Sequence, residues 1–169
     1  PKSPQPFALA ILSALFAFPG SIQSQDRIFS GHQPGERTTS FKVVEIAKAA
    51  DGTERDVVAD NKGAPTVLVF LHGIERSLVP LLSVIDQYGA EHKEQLKSEI
   101  VFLTGDRLAG EQRFKAAANS LRLRSRLGIS LDGAEGPGNY GLNKECLLTV
   151  VIAKDNKVTA SFALVQPGI

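Results

Sequence analysis

Runs of apolar residues divide the chain into alternating strands and helices. Thr66 to Leu71 is an unbroken β-branched, aliphatic and aromatic run, the composition of a central strand buried on both faces. A shorter strand is predicted over Phe41 to Ile46, with apolar residues at 41, 43, 44 and 46. After the central strand, Leu78, Leu81, Leu82, Ile85, Tyr88 and Leu96 keep helical spacing, with Ser77 as the expected N-cap and Pro80 tolerated in the first turn. Glu99 to Thr104 reads as the next strand. Glu111 to Leu123 reads as a second helix with Phe114, Ala117, Ala118 and Leu121 inward, and Gly128 to Leu131 as a short strand. Asp132 to Gly141 holds four glycines and a proline and reads as a loop. Leu147 to Ile152 and Val158 to Leu164 form an expected β-hairpin, the second strand alternating Val158, Ala160, Phe162, Leu164 against Thr159, Ser161, Ala163. Residues 54–64 are polar, with Val57-Val58 as a small anchor, and are expected to be irregular. The order β, β, α, β, α, β, β, β predicts one mixed sheet, parallel across the helices and antiparallel at the closing hairpin.

The 169 residues suit a single domain, and neither 43% apolar nor 22% charged residues is unusual for a globular chain. The formal net charge is +1. Lys2 is the only charged residue in positions 1–25, which leaves 18 basic and 18 acidic residues in the rest. This balance gives no support for nucleic-acid or anionic-membrane binding. Lys2, the apolar run Phe7 to Phe18 and the breaker Pro19-Gly20 have the layout of a secretory signal peptide over residues 1–25. The run is short for a bilayer span; its alternatives are an uncleaved anchor or an apolar helix of the fold. Residues 26–40 read as a linker and 41–169 as the domain. After signal removal no membrane association is expected, and the location implied is periplasmic or extracellular. The single cysteine, Cys146, cannot form an intramolecular disulfide.

Several short stretches resemble the thioredoxin-like superfamily, in particular its peroxiredoxin-related branch, the AhpC/TSA or redoxin group. They are Pro34-Gly35-Glu36, Asp51-Gly52-Thr53, Gly63-Ala64-Pro65-Thr66-Val67-Leu68-Val69-Phe70, Gly128 to Asp132 with Tyr140-Gly141-Leu142, and Val151 to Val158. The collinear set covers about residues 34 to 165. The chain also resembles thioredoxin-domain proteins of planctomycete-type bacteria that lack the active-site cysteines. The resemblance implies an α/β fold, a thioredoxin-like mixed sheet flanked by helices, and a redox site at the end of the central strand. There a helix N-terminus favours a cysteine thiolate. The family's CxxC would fall near Glu75 to Leu78, and no cysteine is there. Its cis-proline would fall near Leu147, and no proline is there. Its closing helix has no counterpart before Ile169, which points to a fragment with one sheet face uncovered.

Two sets of residues remain as candidates. By the resemblance, Cys146 sits in a loop facing the redox site, where it would serve as a one-cysteine centre oxidised to sulfenic acid. Its competing role is that of a small buried hydrophobe. The junction residues His72, Glu75, Arg76 and Ser77 would line any retained binding site; otherwise Glu75 and Arg76 face water, Ser77 caps the helix and His72 is structural. The histidines His32, His72 and His92 lack metal-ligand spacing, so no metal and no cofactor is expected. Arg122, Arg124 and Arg126, beside Arg113 and Lys115, read as a solvated helix end, or as an anion site. Asp132 to Gly138 has too few carboxylates for a calcium loop. His72-Gly73 also looks like the oxyanion segment of an α/β-hydrolase, but there is no Gly-x-Ser-x-Gly elbow and no histidine after His92. The sequence therefore predicts an exported thioredoxin-like domain without dithiol or peroxidase chemistry, a binding or structural module with an unidentified protein partner. The alternative is a divergent thiol-dependent antioxidant or oxidoreductase using Cys146.

Overall fold

The computed structural model describes residues 28–46 and 52–165. The segment read as a signal peptide therefore lies outside the described residues. Seven strands build one mixed sheet: β1 (Lys42–Glu45), β2 (Glu54–Asp56), β3 (Thr66–Leu71), β4 (Lys97–Phe102), β5 (Arg126–Ser130), β6 (Leu148–Lys154) and β7 (Lys157–Leu164). Three helices accompany them: α1 (Val57–Asn61), α2 (Val79–Glu91) and α3 (Arg107–Leu121). The strand order is β2-β1-β5-β4-β3-β6-β7. Strands β3, β4 and β5 run parallel, joined by α2 and α3, and the other neighbouring pairs are antiparallel. This is the mixed α/β sheet expected from the element order.

Strand β3 lies in the interior of the sheet, and its side chains feed two cores. Val69 and Leu71 pack with Leu78, Leu82, Ile100, Phe102, Phe114, Ile129 and Leu148 beneath α2 and α3. Leu68 and Phe70 pack on the opposite face with Phe41, Val57, Val101, Tyr140, Val151 and Val158. A strand between two cores must be apolar at every position, which is why its sequence shows no alternation.

Several boundaries differ from the sequence reading. Strand β2 and helix α1 occupy part of the segment expected to be irregular; Asp56 caps α1 by accepting a hydrogen bond from the Ala59 N–H at 2.9 Å. A five-residue helix is too short to display a 3.6 periodicity. Helix α3 starts at Arg107, because the Asp106 carboxylate accepts from the Ala109 N–H at 3.0 Å. It ends at Leu121 with Arg122 as its C-cap, so Arg122 and Arg126 do not share a helix face as their spacing would give on a continuous helix. Arg124 approaches Asp86, and Arg126 opens β5. The β6–β7 turn is tighter than read, with Asp155 and Asn156 at φ +54° and +56°, the paired left-handed residues of a two-residue hairpin turn.

The alternation in β7 is also interrupted. The pairing register shifts between Ile152 and Ala153, opposite Ala160 and Val158. One extra residue flips the side-chain parity of the strand. Val158 therefore enters one core, whereas Leu164 packs against the other and Phe162 lies on that same side.

The described part of the expected linker, residues 28–40, lies against the sheet. The Gly35 N–H donates to the Val158 carbonyl, and the Val158 N–H to the Glu36 carbonyl, both at 2.9 Å. Ser30 is buried at the level of β6. Among the described residues no helix follows β7, and none is long and apolar enough to cross a membrane.

A cluster of charges crosses the sheet below α1. The Arg55 Nε donates to Glu45 Oε2 at 2.7 Å, and Arg55 Nη2 to Glu99 Oε2 at 2.6 Å. Glu99 is wholly buried in β4. Arg126 adds longer contacts of 3.5–3.6 Å to Glu99, Asp60 and Glu45. Burial pushes the Glu99 carboxyl up, while Arg55, Arg126 and Asn61 pull it down.

Candidate functional site

The site forms where β3 ends. His72 follows the strand directly, and its N–H donates to the Leu147 carbonyl at 3.1 Å. This bond extends the β3–β6 pairing by one step and brings the junction loop beside the loop carrying Cys146. The two candidate segments, 74 residues apart in sequence, thus meet as the resemblance implied. The His72 imidazole is half-buried, and both ring nitrogens are shielded from solvent without a hydrogen-bond partner. Burial lowers its pKa; proximity to the Cys146 backbone offsets part of that shift, and the Lys144 charge adds to it. A neutral imidazole is the form this pocket favours.

The remaining junction residues do not converge on the histidine. Glu75, Arg76 and Ser77 are all exposed. Ser77 lies inside a short 3₁₀ turn, Arg76–Leu78, that precedes α2. The position before α2 is Leu78, and no side chain caps this helix. Ser77 is therefore not the N-cap. The 3₁₀ turn shifts the start of α2 by one residue, and Pro80 falls in the first turn as expected.

Cys146 has no exposed surface. Burial pushes its thiol up from the ordinary cysteine range, the Ser30 hydroxyl pulls it down, and the charge of Glu145 pushes it further up. No helix begins at this position to supply the opposite influence; the nearest regular element is the start of β6. The loop around Cys146 is held by its own polar groups. The Cys146 N–H donates to the Asn143 carbonyl at 3.0 Å, and the Glu145 N–H donates to Asn143 Oδ1 at 2.9 Å.

Ser30 is the residue that sequence reasoning missed. Its hydroxyl lies 2.6 Å from Thr149 Oγ1 and accepts from the Asn143 N–H at 2.9 Å, besides contacting the thiol. Its carbonyl accepts from the Ser161 hydroxyl at 3.3 Å. Gly31 follows at φ +76°, and a Cβ there would stand 3.0 Å from methyls of Thr149 and Val151. A serine in a polar stretch carries no sign of burial; only the neighbouring glycine hinted at a close approach. Among the described residues no group of three or more histidine, cysteine, aspartate or glutamate side chains is placed to hold a metal ion.

The Arg122–Arg126 stretch, the other candidate for a ligand, does not join this site. Arg124 and Arg126 line a cleft at the far end of α2 with Lys93 and Lys97. Their acidic neighbours Asp86, Asp60, Glu45 and Glu99 engage both guanidinium groups.

No protein-family model matches the sequence, and no curated protein matches it either. Solved structures do match. The exposed lipoprotein thioredoxin of Streptococcus pneumoniae superposes with a TM-score of 0.56 at 19% identity, over 78% of this chain and 90% of that one. A thiol peroxidase from Chromobacterium violaceum gives 0.57 at 16% identity, over 82% and 79% of the two chains. A peroxiredoxin-like protein from Aquifex aeolicus gives 0.55 at 15% identity, over 82% and 80%. The fold is thioredoxin-like α/β, shared with thioredoxins and peroxiredoxins.

Proposed function

We propose that this chain is an exported thioredoxin-like domain that works without dithiol or peroxidase chemistry, as a binding or structural module. One observation carries the reading: the only thiol is buried and pushed up in pKa, while the strand-to-helix junction holds none. A thiol must ionise and reach its substrate to act, and burial opposes both. A protein partner would bind where the junction loop and the Cys146 loop meet, with exposed Glu75, Arg76 and Ser77 as the groups available to it. Export is supported by the layout of Lys2, Phe7 to Phe18 and Pro19-Gly20. The pneumococcal neighbour, described as an exposed lipoprotein, is consistent with that address.

A second reading rests on the Ser30 contact, which favours the thiolate, and on the place of Cys146 beside His72. Peroxide would oxidise the thiol to sulfenic acid with loss of water, and an external thiol would have to reduce it.

The deciding experiment is the pH dependence of Cys146 alkylation in the folded protein, with Cys146→Ser as the control for peroxide consumption. Labelling only after denaturation supports the module. Fast labelling with an apparent pKa below the free-thiol value of about 8.5, together with peroxide turnover lost in the variant, replaces it with the one-cysteine enzyme.

A further inference from the structure

At the far end of α2 a cleft of about 500 Å³ opens between that helix and the first residues of β4 and β5. Lys93, Lys97, Arg124 and Arg126 line it, and no acidic side chain does. Lys97 opens β4 and Arg126 opens β5, parallel neighbours, so both side chains start from the same end of the sheet. Lys93 follows the last turn of α2. Like charges gathered around one recess repel one another, and low-dielectric walls concentrate their field within it.

The carboxylates nearby have closer partners than these cations. Glu45 and Glu99 hold Arg55 at 2.7 and 2.6 Å. Asp86 Oδ1 accepts from the Arg124 and Ser125 N–H groups, both at 2.8 Å. Together with Asp60, these acids reach the cleft arginines only through contacts of 3.5–3.6 Å, longer than the about 2.7–2.9 Å of a charge-assisted hydrogen bond. Lys93 and Lys97 have no acidic partner among the described residues. Two hydroxyls complete the polar lining. The Ser125 hydroxyl donates to Ser98 Oγ at 3.0 Å, which leaves the Ser98 hydrogen without an acceptor among the described residues, although Ser98 is only 8% exposed. Gly89 of α2 keeps the space beside it clear, since a Cβ there would stand 2.8 Å from Ser98 Oγ.

We propose that this cleft binds a small soluble anion carrying several phosphate groups. Each phosphate presents three strong acceptor oxygens, and ammonium, guanidinium and hydroxyl donors all serve them. The four cations come from the end of α2, the start of β4 and the approach to β5, so one anionic group cannot meet them all. A recess that reaches a side chain as buried as Ser98 suits a ligand that enters, rather than a membrane or a nucleic-acid strand passing over the surface. The formal net charge of +1 gives such extended polyanions no long-range attraction. The carbonyl end of α2 opposes an anion, so the binding must come from the four basic side chains and must fall when they are removed. This site does not depend on the role of Cys146.

Isothermal titration calorimetry of the full chain with tripolyphosphate tests it, at about 0.15 M salt so that diffuse surface attraction is screened. The expected result is one anion bound per chain, with inorganic phosphate at least about tenfold weaker because it meets fewer of the charges. The double variant Lys93→Gln/Lys97→Gln, at two exposed positions, should bind tripolyphosphate about tenfold more weakly with its circular dichroism spectrum unchanged. Lys154→Gln, exposed at the end of β6, should bind as wild type does. Should the double variant fail to fold, the two single variants take its place. Absence of binding overturns the proposal, and so does inorganic phosphate binding as tightly as tripolyphosphate. A folded double variant that binds like wild type, or an equal loss in Lys154→Gln, overturns it too. Co-sedimentation with phosphatidylglycerol vesicles separates a free anion from a lipid headgroup: a chain that pellets with the vesicles and ignores tripolyphosphate belongs to a membrane surface, which equally overturns it.

Discussion

Replacing Arg55 with leucine tests whether the buried charge cluster is held together as the geometry describes. Arg55 is the cation nearest both Glu45 and Glu99, at 2.7 and 2.6 Å. Without it, the Glu99 carboxylate keeps Arg126 as its only nearby cation, with Nη1 3.5 Å away and a side chain 41% exposed. Removing one partner of a buried ion pair typically costs about 3–5 kcal/mol. The variant has an escape, because Glu99 can fold protonated. With an unfolded-state pKa of about 4.3 and about 1.36 kcal/mol per pH unit, that route costs about 3.7 kcal/mol at pH 7 and about 1 kcal/mol at pH 5. The expected loss is therefore at most roughly 3–4 kcal/mol at pH 7, less the part wild type already bears because its own Glu99 carboxyl is raised, shrinking to at most about 1 kcal/mol at pH 5.

The sign follows from the direction of the Glu99 shift. Its folded pKa is raised, so the stability it confers is full below the unfolded value and lost as pH rises through the folded one. Removing Arg55 raises the folded pKa further and steepens that loss. Urea denaturation of wild type and variant at about pH 5, 6 and 7 measures both quantities, the pH values bracketing the carboxylate and neutral ranges. The double variant Arg55→Leu/Glu99→Leu should recover most of the loss at pH 7 and lack the extra slope. A loss under about 1 kcal/mol at pH 7, or one that does not change with pH, refutes the reasoning, since an unpaired buried carboxylate must show both effects.

Two further perturbations follow from the same geometry. The folded-state pKa of His72 is lowered, so its contribution is full above about pH 6.5 and lost as pH falls through the folded value. Thermal melts of His72→Phe should show a shallower acid-side decline than wild type; an identical decline would mean that the imidazole is free to protonate in place. Gly89→Ala would put a Cβ 2.5 Å from Ser98 Cβ, pushing α2 off β4. The expected cost of about 1–3 kcal/mol for overpacking exceeds the gain of up to about 1 kcal/mol from helix propensity. Chemical denaturation should show rescue by Ser98→Gly, and a neutral or stabilising Gly89→Ala would show that the helix–strand spacing is loose.

The three parallel strands β3, β4 and β5 were legible because their residues answer to short-range rules. Thr66 to Leu71 is buried on both faces and says so at every position, and the spacing of Leu78, Leu82 and Ile85 follows the helix that covers one of them. What escaped was set by partners distant in sequence. Glu99 reads as the polar start of a strand until Arg55, 44 residues earlier, is placed beside it. Tyr88 and Phe162 satisfy their apolar patterns, yet both are exposed, because periodicity names the face of an element and not whether anything lies over it. The bulge opposite Ile152 and Ala153 cannot be read from β7 alone, since either parity suits its residues.

The candidate site divides in the same way. The meeting of His72 with the Cys146 loop was anticipated, because it follows from the topology: the end of β3 and the start of β6 are neighbours in the sheet whatever residues they carry. Burial of the thiol was the competing role the sequence offered; what sequence reasoning did not supply is Ser30, more than a hundred residues earlier, whose hydroxyl pulls the thiol pKa down. One hydroxyl meets Thr149, the Asn143 N–H and the thiol in the same buried space. Moving residues 30 and 31 away would strand the Asn143 N–H and the Thr149 hydroxyl, each costing about 1–3 kcal/mol if left unpaired. It would also uncouple the Ser30 carbonyl from Ser161. Ser30 is thus bonded to β6, to β7 and to the loop carrying the cysteine, and these bonds hold the N-terminal segment to the sheet.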